Sequence, residues 1–322
     1  MKTIFIGGCD RSGTTLLGSL LGAAPGAVCT PESQFKTEIL SDGNPKAVLC
    51  NPKIAYDSIR RHWRFRIWGM DHHSLRNIHF ENHRTYPELL EKIVLKYAEN
   101  IGGSGIHAVD TWIDHTPSNV RGLDKLFALF PNAVALHVVR DGRAVAASVM
   151  PLDWGPNSIY FAAKWWAQQL ASGLAAEKFF GAQKVLRVRF EDLVTQGEPV
   201  LKKICHFANV RFSEKMISGG GFRVPPYTTA QHKLLYSDEI DKERVDGWKR
   251  SLTEKQINLF EFMVGDLLSY LGYQPQNQWP EKPTNADLLK MVMRENFFWL
   301  INRARRCLRK RRIYRQRSIV GE

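Results

Sequence analysis

The chain has 322 residues, 44% of them hydrophobic and 11% aromatic, enough to bury a full α/β core. Cys9, Cys29, Cys50, Cys205 and Cys307 are odd in number and never spaced C-x-x-C, which excludes a disulfide framework and a cysteine zinc site and points to a reducing, cytoplasmic compartment. The net charge of +13 sits mainly at the carboxyl end, where nine basic and no acidic residues lie between Arg303 and Arg317; without them the balance is +4, so the body is not marked as a specific nucleic-acid binder.

The opening MKTIFIGG reads as a core strand over Thr3 to Ile6, which leaves no room ahead of it for a signal peptide. No segment is apolar over the ~20 residues of a spanning helix. Thr14 to Ala23 then has helical apolar spacing, and the element order is strand, glycine loop, helix. Further buried-strand runs are expected at His107 to Val109, Val134 to Val139 and Val185 to Phe190, each followed by a helical pattern. That alternation predicts an α/β fold with a mostly parallel sheet flanked by helices.

Residues 35–101 have a weaker pattern, and we expect a variable insertion over the active site that meets the acceptor. It contains His62, His72, His73, His79 and His83, but no Cys or carboxylate at a metal-binding interval, so no metal is expected. Long helices are predicted over Tyr160 to Phe180 and over 254–271. Residues 274–283, with three prolines, form a linker, and 284–322 form a basic amphipathic helix or tail beyond a domain of residues 1–273. In that tail Asn296-Phe297-Phe298-Trp299-Leu300 precedes the polybasic run. The segment either lies on an anionic membrane surface or packs Phe297, Trp299 and Leu300 against the body.

The strongest chemical signal is Gly8-Cys9-Asp10-Arg11-Ser12-Gly13-Thr14-Thr15 between the first strand and helix. Its G-x-x-x-x-G skeleton sets backbone N–H groups at a helix N-terminus, a nest for phosphate oxygens. Thr14 stands where a triphosphatase carries Lys, and Arg11 supplies the cation instead. Asp110 alone is a candidate to hold Mg²⁺, so a P-loop small-molecule kinase is the weaker alternative, beside a catalytically silent nucleotide binder. The second signal is Val138-Val139-Arg140-Asp141-Gly142-Arg143, continuing to Ser148: an Arg at a strand's carboxyl end and a hydroxyl on the next helix can hold a second phosphate.

Together GGCDRSGTTLL and VVRDGRAVAAS resemble the two phosphate-binding segments of sulfotransferases that use 3′-phosphoadenosine 5′-phosphosulfate (PAPS), in particular the tyrosylprotein branch and its bacterial relatives. The resemblance extends through Pro31-Glu32-Ser33, Phe130-Pro131-Asn132 and Phe190-Glu191-Asp192, from about Thr3 to Tyr273. It implies sulfonate transfer to a hydroxyl of a carbohydrate, glycolipid, protein tyrosine or small molecule, without a metal. By position, Arg11 would bind the bridging and sulfonate region, and Ser12, Gly13, Thr14 and Thr15 the 5′-phosphate. Arg140 and Ser148 would bind the 3′-phosphate, with Arg244 or Lys249 of Arg244-Val245-Asp246-Gly247-Trp248-Lys249 assisting. Glu32 would be the base. His115 stands where relatives carry a sulfonate-stabilising Lys, and Gln34 where the tyrosylprotein branch has an Arg that meets acidic peptides, which counts against a tyrosine acceptor.

Overall fold

The computed structural model describes residues 1–41, 45–70, 85–102, 109–224 and 243–318. Five strands, β1 (Lys2–Gly8), β2 (Ala27–Thr30), β3 (Thr111–Asp114), β4 (Val134–Val139) and β5 (Val185–Arg189), form a parallel sheet in the order β2-β3-β1-β4-β5. From β1 the chain runs outward to β2, returns to β3, then passes β1 to reach β4 and β5. The carboxyl end of β1 is therefore the switch point at which open α/β sheets bind ligands.

Alternate residues of these strands enter two cores, which is why their sequences are apolar on both faces. Phe5, Val28, Trp112 and Ala135 pack with Tyr86, Leu89, Ile93 and Tyr97 of the Tyr86–Gly102 helix and with Phe35, Ile59 and Phe65. Ile4, Ile6, Ile113, Leu136 and Val138 pack with Leu17 and Leu20 of the Thr14–Gly22 helix and with Leu201 and Ile204. The described helices between Phe35 and Gly102 thus supply much of the helical layer on one face. The third strand lies at Thr111–Asp114; of the expected run His107 to Val109, 107 and 108 fall outside the described residues and Val109 is not in a strand. β2 has no counterpart in the sequence reading, because AVCT carries too short a pattern and its strand state depends on pairing with β3.

The chain divides into two compact units, residues 1–139 with 172–241 and residues 140–171 with 242–322. The first holds the sheet. In the second, Arg143 is buried as a hub: it donates to Asp141 at 2.7 Å, to Glu261 at 2.5 Å and to the Gln274 carbonyl at 3.1 Å, and its guanidinium lies 4.1 Å from the Trp248 ring. Gly142 is required beside it, since a Cβ there would meet Phe260 and Trp166 at 2.6 Å.

The final helix, Asn285–Ser318, turns its polar side inward. Glu295 accepts from the Asn157 backbone N–H at 2.9 Å and Ser158 Oγ at 3.2 Å, while Asn302 Nδ2 donates to Asn157 Oδ1 at 2.9 Å. Leu289, Met293, Phe297 and Leu300 follow at helical spacing on the other side, and Phe297 and Leu300 are 60% and 62% exposed. Among the described residues Phe297 and Leu300 thus lie on the open face, while Trp299, one turn after Glu295, is on the inward side and about half exposed, at 49%.

Candidate active site

The loop after β1 is built to receive an anion. Gly13 is the N-cap of the Thr14–Gly22 helix with φ 99°, and among the described residues no side-chain cap bonds the helix's first N–H groups. Arg11 also has positive φ, 71°, a conformation that costs a non-glycine residue and recurs where a loop is shaped around a ligand. Ser12 is fully buried, and its Oγ has no hydrogen-bond partner among the described residues. Phe190, the first residue of the helix after β5, closes the loop from below: a Cβ on Gly13 would lie 2.4 Å from Phe190 Cδ2. Uncapped amides, an unsatisfied buried hydroxyl and an Arg in one turn fit a phosphate ester.

Glu32 stands just past β2. The register pairs Thr30 with Asp114 and Asp114 with Phe5, so the ends of β2 and β3 lie beside β1, ahead of its loop. Gln34 Nε2 donates to Glu32 Oε2 at 2.8 Å, and Arg64 Nη1 lies 3.1 Å from the same atom. Oε1 accepts no hydrogen bond among the described residues. Trp68 Nε1 donates to the Glu32 carbonyl at 3.2 Å. Electrostatics tie this carboxylate to the loop: burial and then the charge of Glu32 raise the Asp10 pKa to about 6, opposed by Arg121 and Arg64.

His115 faces away from solvent, with Nδ1 3.5 Å from Cys29 Sγ and its ring edge-on to Phe222 at 4.5 Å. Burial lowers its pKa, against the charges of Glu32 and Asp114. A Cβ on Gly18 would come within 2.9 Å of His115 Cβ, so the ring fills a tight packing site. In the second unit, Arg140 directly follows β4, and Asp141 caps the Gly142–Val149 helix that carries Ser148, accepting from the Arg143 N–H at 2.9 Å. Arg244 is in the short Glu243–Asp246 helix, and its side chain lies outside the described residues. Asp110 precedes β3, with its carbonyl accepting from Lys2 N at 2.7 Å, at the end of β1 opposite the loop. It is not placed to hold a metal there.

Sequence reading missed Lys36 and Arg64. Nothing in their local spacing distinguishes them from surface cations; only the fold brings Lys36 under the turn that carries Glu32 and Arg64 onto its carboxylate. Among the described residues no group of three or more His, Cys, Asp or Glu is arranged to hold a metal.

A parallel sheet whose central strand ends in a glycine loop at a helix N-terminus defines a P-loop-type α/β fold. A family model described as the sulfotransferase family matches residues 3–214, and the chain belongs to that family. It is 23% identical over 291 residues to a protein-tyrosine sulfotransferase of Drosophila melanogaster, covering 87% of this chain and 53% of the relative. It is 24% identical over 305 residues to nodulation protein NoeE of Sinorhizobium fredii, covering 85% and 66%. The chain thus spans between half and two-thirds of these relatives. The fold is similar to the sulfotransferase domain of the Synechococcus PCC 7002 olefin synthase, with a TM-score of 0.57, 23% identity and coverage of 81% of this chain and 94% of that one. It is also similar to the sulfotransferase domain from the curacin biosynthetic pathway, with a TM-score of 0.56, 19% identity and coverage of 84% and 97%.

Proposed function

We propose that the protein transfers a sulfonate group from PAPS to an acceptor hydroxyl. The observation that carries this reading is the proximity, within one unit, of the glycine loop at a helix N-terminus to a carboxylate with one oxygen anchored and the other without a hydrogen bond among the described residues. Glu32 Oε1 takes the acceptor proton as the acceptor oxygen bonds to sulfur and the bond from sulfur to the 5′-phosphate oxygen breaks. Arg11, the Ser12 hydroxyl and the amides of Gly13, Thr14 and Thr15 hold the charge that develops on the leaving phosphate, giving adenosine 3′,5′-bisphosphate. Arg140 and Ser148 hold the 3′-phosphate, with Arg244 assisting. His115 is assigned a packing role, because its buried ring lies against Cys29 and Phe222.

The test is transfer from labelled PAPS to a panel of tyrosine peptides, saccharides, glycolipids and small alcohols, alongside calorimetry with adenosine 3′,5′-bisphosphate and with ATP. Sulfated product and selective bisphosphate binding support the assignment. Selective binding of ATP with Mg²⁺ and phosphorylated product would indicate a kinase.

For the cellular setting, we propose a cytoplasmic protein that reaches anionic membrane through its last helix. Five free thiols are in keeping with a reducing compartment. No helix among the described residues is long and apolar enough to cross a membrane. The outward face of Leu289, Met293, Phe297 and Leu300, followed by the polybasic run, supports interfacial contact.

A further inference from the structure

We infer that Lys36 and Asp114 form a buried positioning device that sets the orientation of Glu32. This rests on the reading of Glu32 as the base. Lys36 opens the Phe35–Ser41 helix as its second residue, and Asp114 ends β3; both are essentially inaccessible. Lys36 Nζ lies 2.9 Å from Asp114 Oδ2 and donates to Ser33 Oγ at 3.0 Å and to Asn119 Oδ1 at 2.7 Å. With a longer contact to the Ser33 carbonyl at 3.4 Å, these partners engage all three ammonium donors. The Asp114 carboxylate also accepts from Ser33 Oγ, from Thr116 N at 2.9 Å and Oγ1 at 2.6 Å, and from Asn119 Nδ2 at 3.2 Å.

The network closes on the residue next to Glu32. Ser33 is held through its hydroxyl by Lys36 and Asp114, and through its N–H by Thr116 Oγ1 at 2.8 Å. On the other side, Trp68 holds the Glu32 carbonyl, and Tyr86 Oη donates to the Lys36 carbonyl at 3.0 Å. The peptide units that flank the Glu32 side chain have little freedom left. A buried ion pair is a costly way to obtain stability, since desolvation offsets most of its attraction. It is an effective way to obtain one geometry, because any shift of the turn strands a buried donor or charge. A carboxylate acting as base needs that constraint: a displacement of about 1 Å at a reacting group can cost about 100-fold in rate.

The experiment is a double-mutant cycle on the full chain between Lys36→Met and Glu32→Gln, read as single-turnover rate, with Kd for adenosine 3′,5′-bisphosphate as the second measurement. Lys36→Met is expected to lower the rate about 10- to 100-fold while the Kd stays within about twofold. In the Glu32→Gln background the same change should cost less than about twofold, because Lys36 acts only through Glu32. If Lys36→Met does not fold, Lys36→Met with Asp114→Asn, which leaves no lone buried charge, is read in its place. A folded variant with the parental rate, or losses that multiply across the cycle, overturns the inference. A Glu32→Gln enzyme with the parental rate overturns instead the assignment of the base.

Discussion

Arg64 Nη1 approaches Glu32 Oε2 at 3.1 Å and shares that oxygen with the Gln34 amide. The carboxylate is thereby pinned through one oxygen, while the other accepts no hydrogen bond among the described residues, the state that the proposed role as general base requires before an acceptor arrives. Glu32→Gln keeps the shape but removes the proposed base. Turnover should fall about 10²- to 10⁴-fold, with nucleotide affinity retained. Rapid-quench single turnover beside calorimetry checks this, and an unchanged chemical step would move the base elsewhere.

Gly13 is required twice over, by its φ of 99° and by Phe190 beneath it. Gly13→Ala should cost about 1–3 kcal/mol in stability and abolish bisphosphate binding. Adding Phe190→Ala relieves the contact but not the backbone strain, so only part of the stability should return in thermal denaturation. Full recovery in the double variant would show that the positive φ is unimportant.

Arg140→Ala and Ser148→Ala should weaken adenosine 3′,5′-bisphosphate binding far more than adenosine 5′-monophosphate binding, by about 1.5–3 kcal/mol for the charge-assisted Arg contact. Calorimetry with the two nucleotides separates the phosphates. Equal losses for both would remove these residues from the 3′-phosphate.

Asp10 gives a pH signature. Its pKa is raised to about 6 by burial and by Glu32, above the ordinary carboxyl value of 3.8. The folded state therefore binds the proton more tightly than the unfolded state. This contribution is fully present below about pH 4 and is lost as pH rises through about 6. Asp10→Asn, which cannot ionise, should raise Tm at pH 8 by the equivalent of about 1 kcal/mol, and by much less at pH 4. Parallel Tm curves for the two proteins across pH 4–8 would contradict it.

The last helix should carry salt-sensitive binding to vesicles containing phosphatidylserine, at about 1 kcal/mol per basic residue near the surface. Deleting residues 303–322 should abolish cosedimentation while leaving transfer to a soluble acceptor largely intact. Phe297→Glu with Leu300→Glu tests the apolar face separately and should weaken binding without changing the polybasic run. Undiminished cosedimentation of either variant removes that element from the contact.

The strand–loop–helix geometry of residues 8–15 was legible because it is local: the loop amides, Arg11 and the helix N-terminus are contiguous, so glycine spacing encodes it. The strand, turn and helix from Val134 to Val149 were legible for the same local reason, as were the long helices over 159–180 and 254–270, the latter with a kink at Val264 that its periodicity does not mark. What the fold alone decided joins residues far apart in the chain. Lys36 meets Asp114 only because β2 pairs with β3, and Phe190 lies under Gly13 only because the first helix and the one after β5 cover the same face. The direction of the last helix was equally hidden. Apolar periodicity marks a face but not what it faces, and here Asn157 and Ser158 satisfy the polar side from within while the apolar side is left outward.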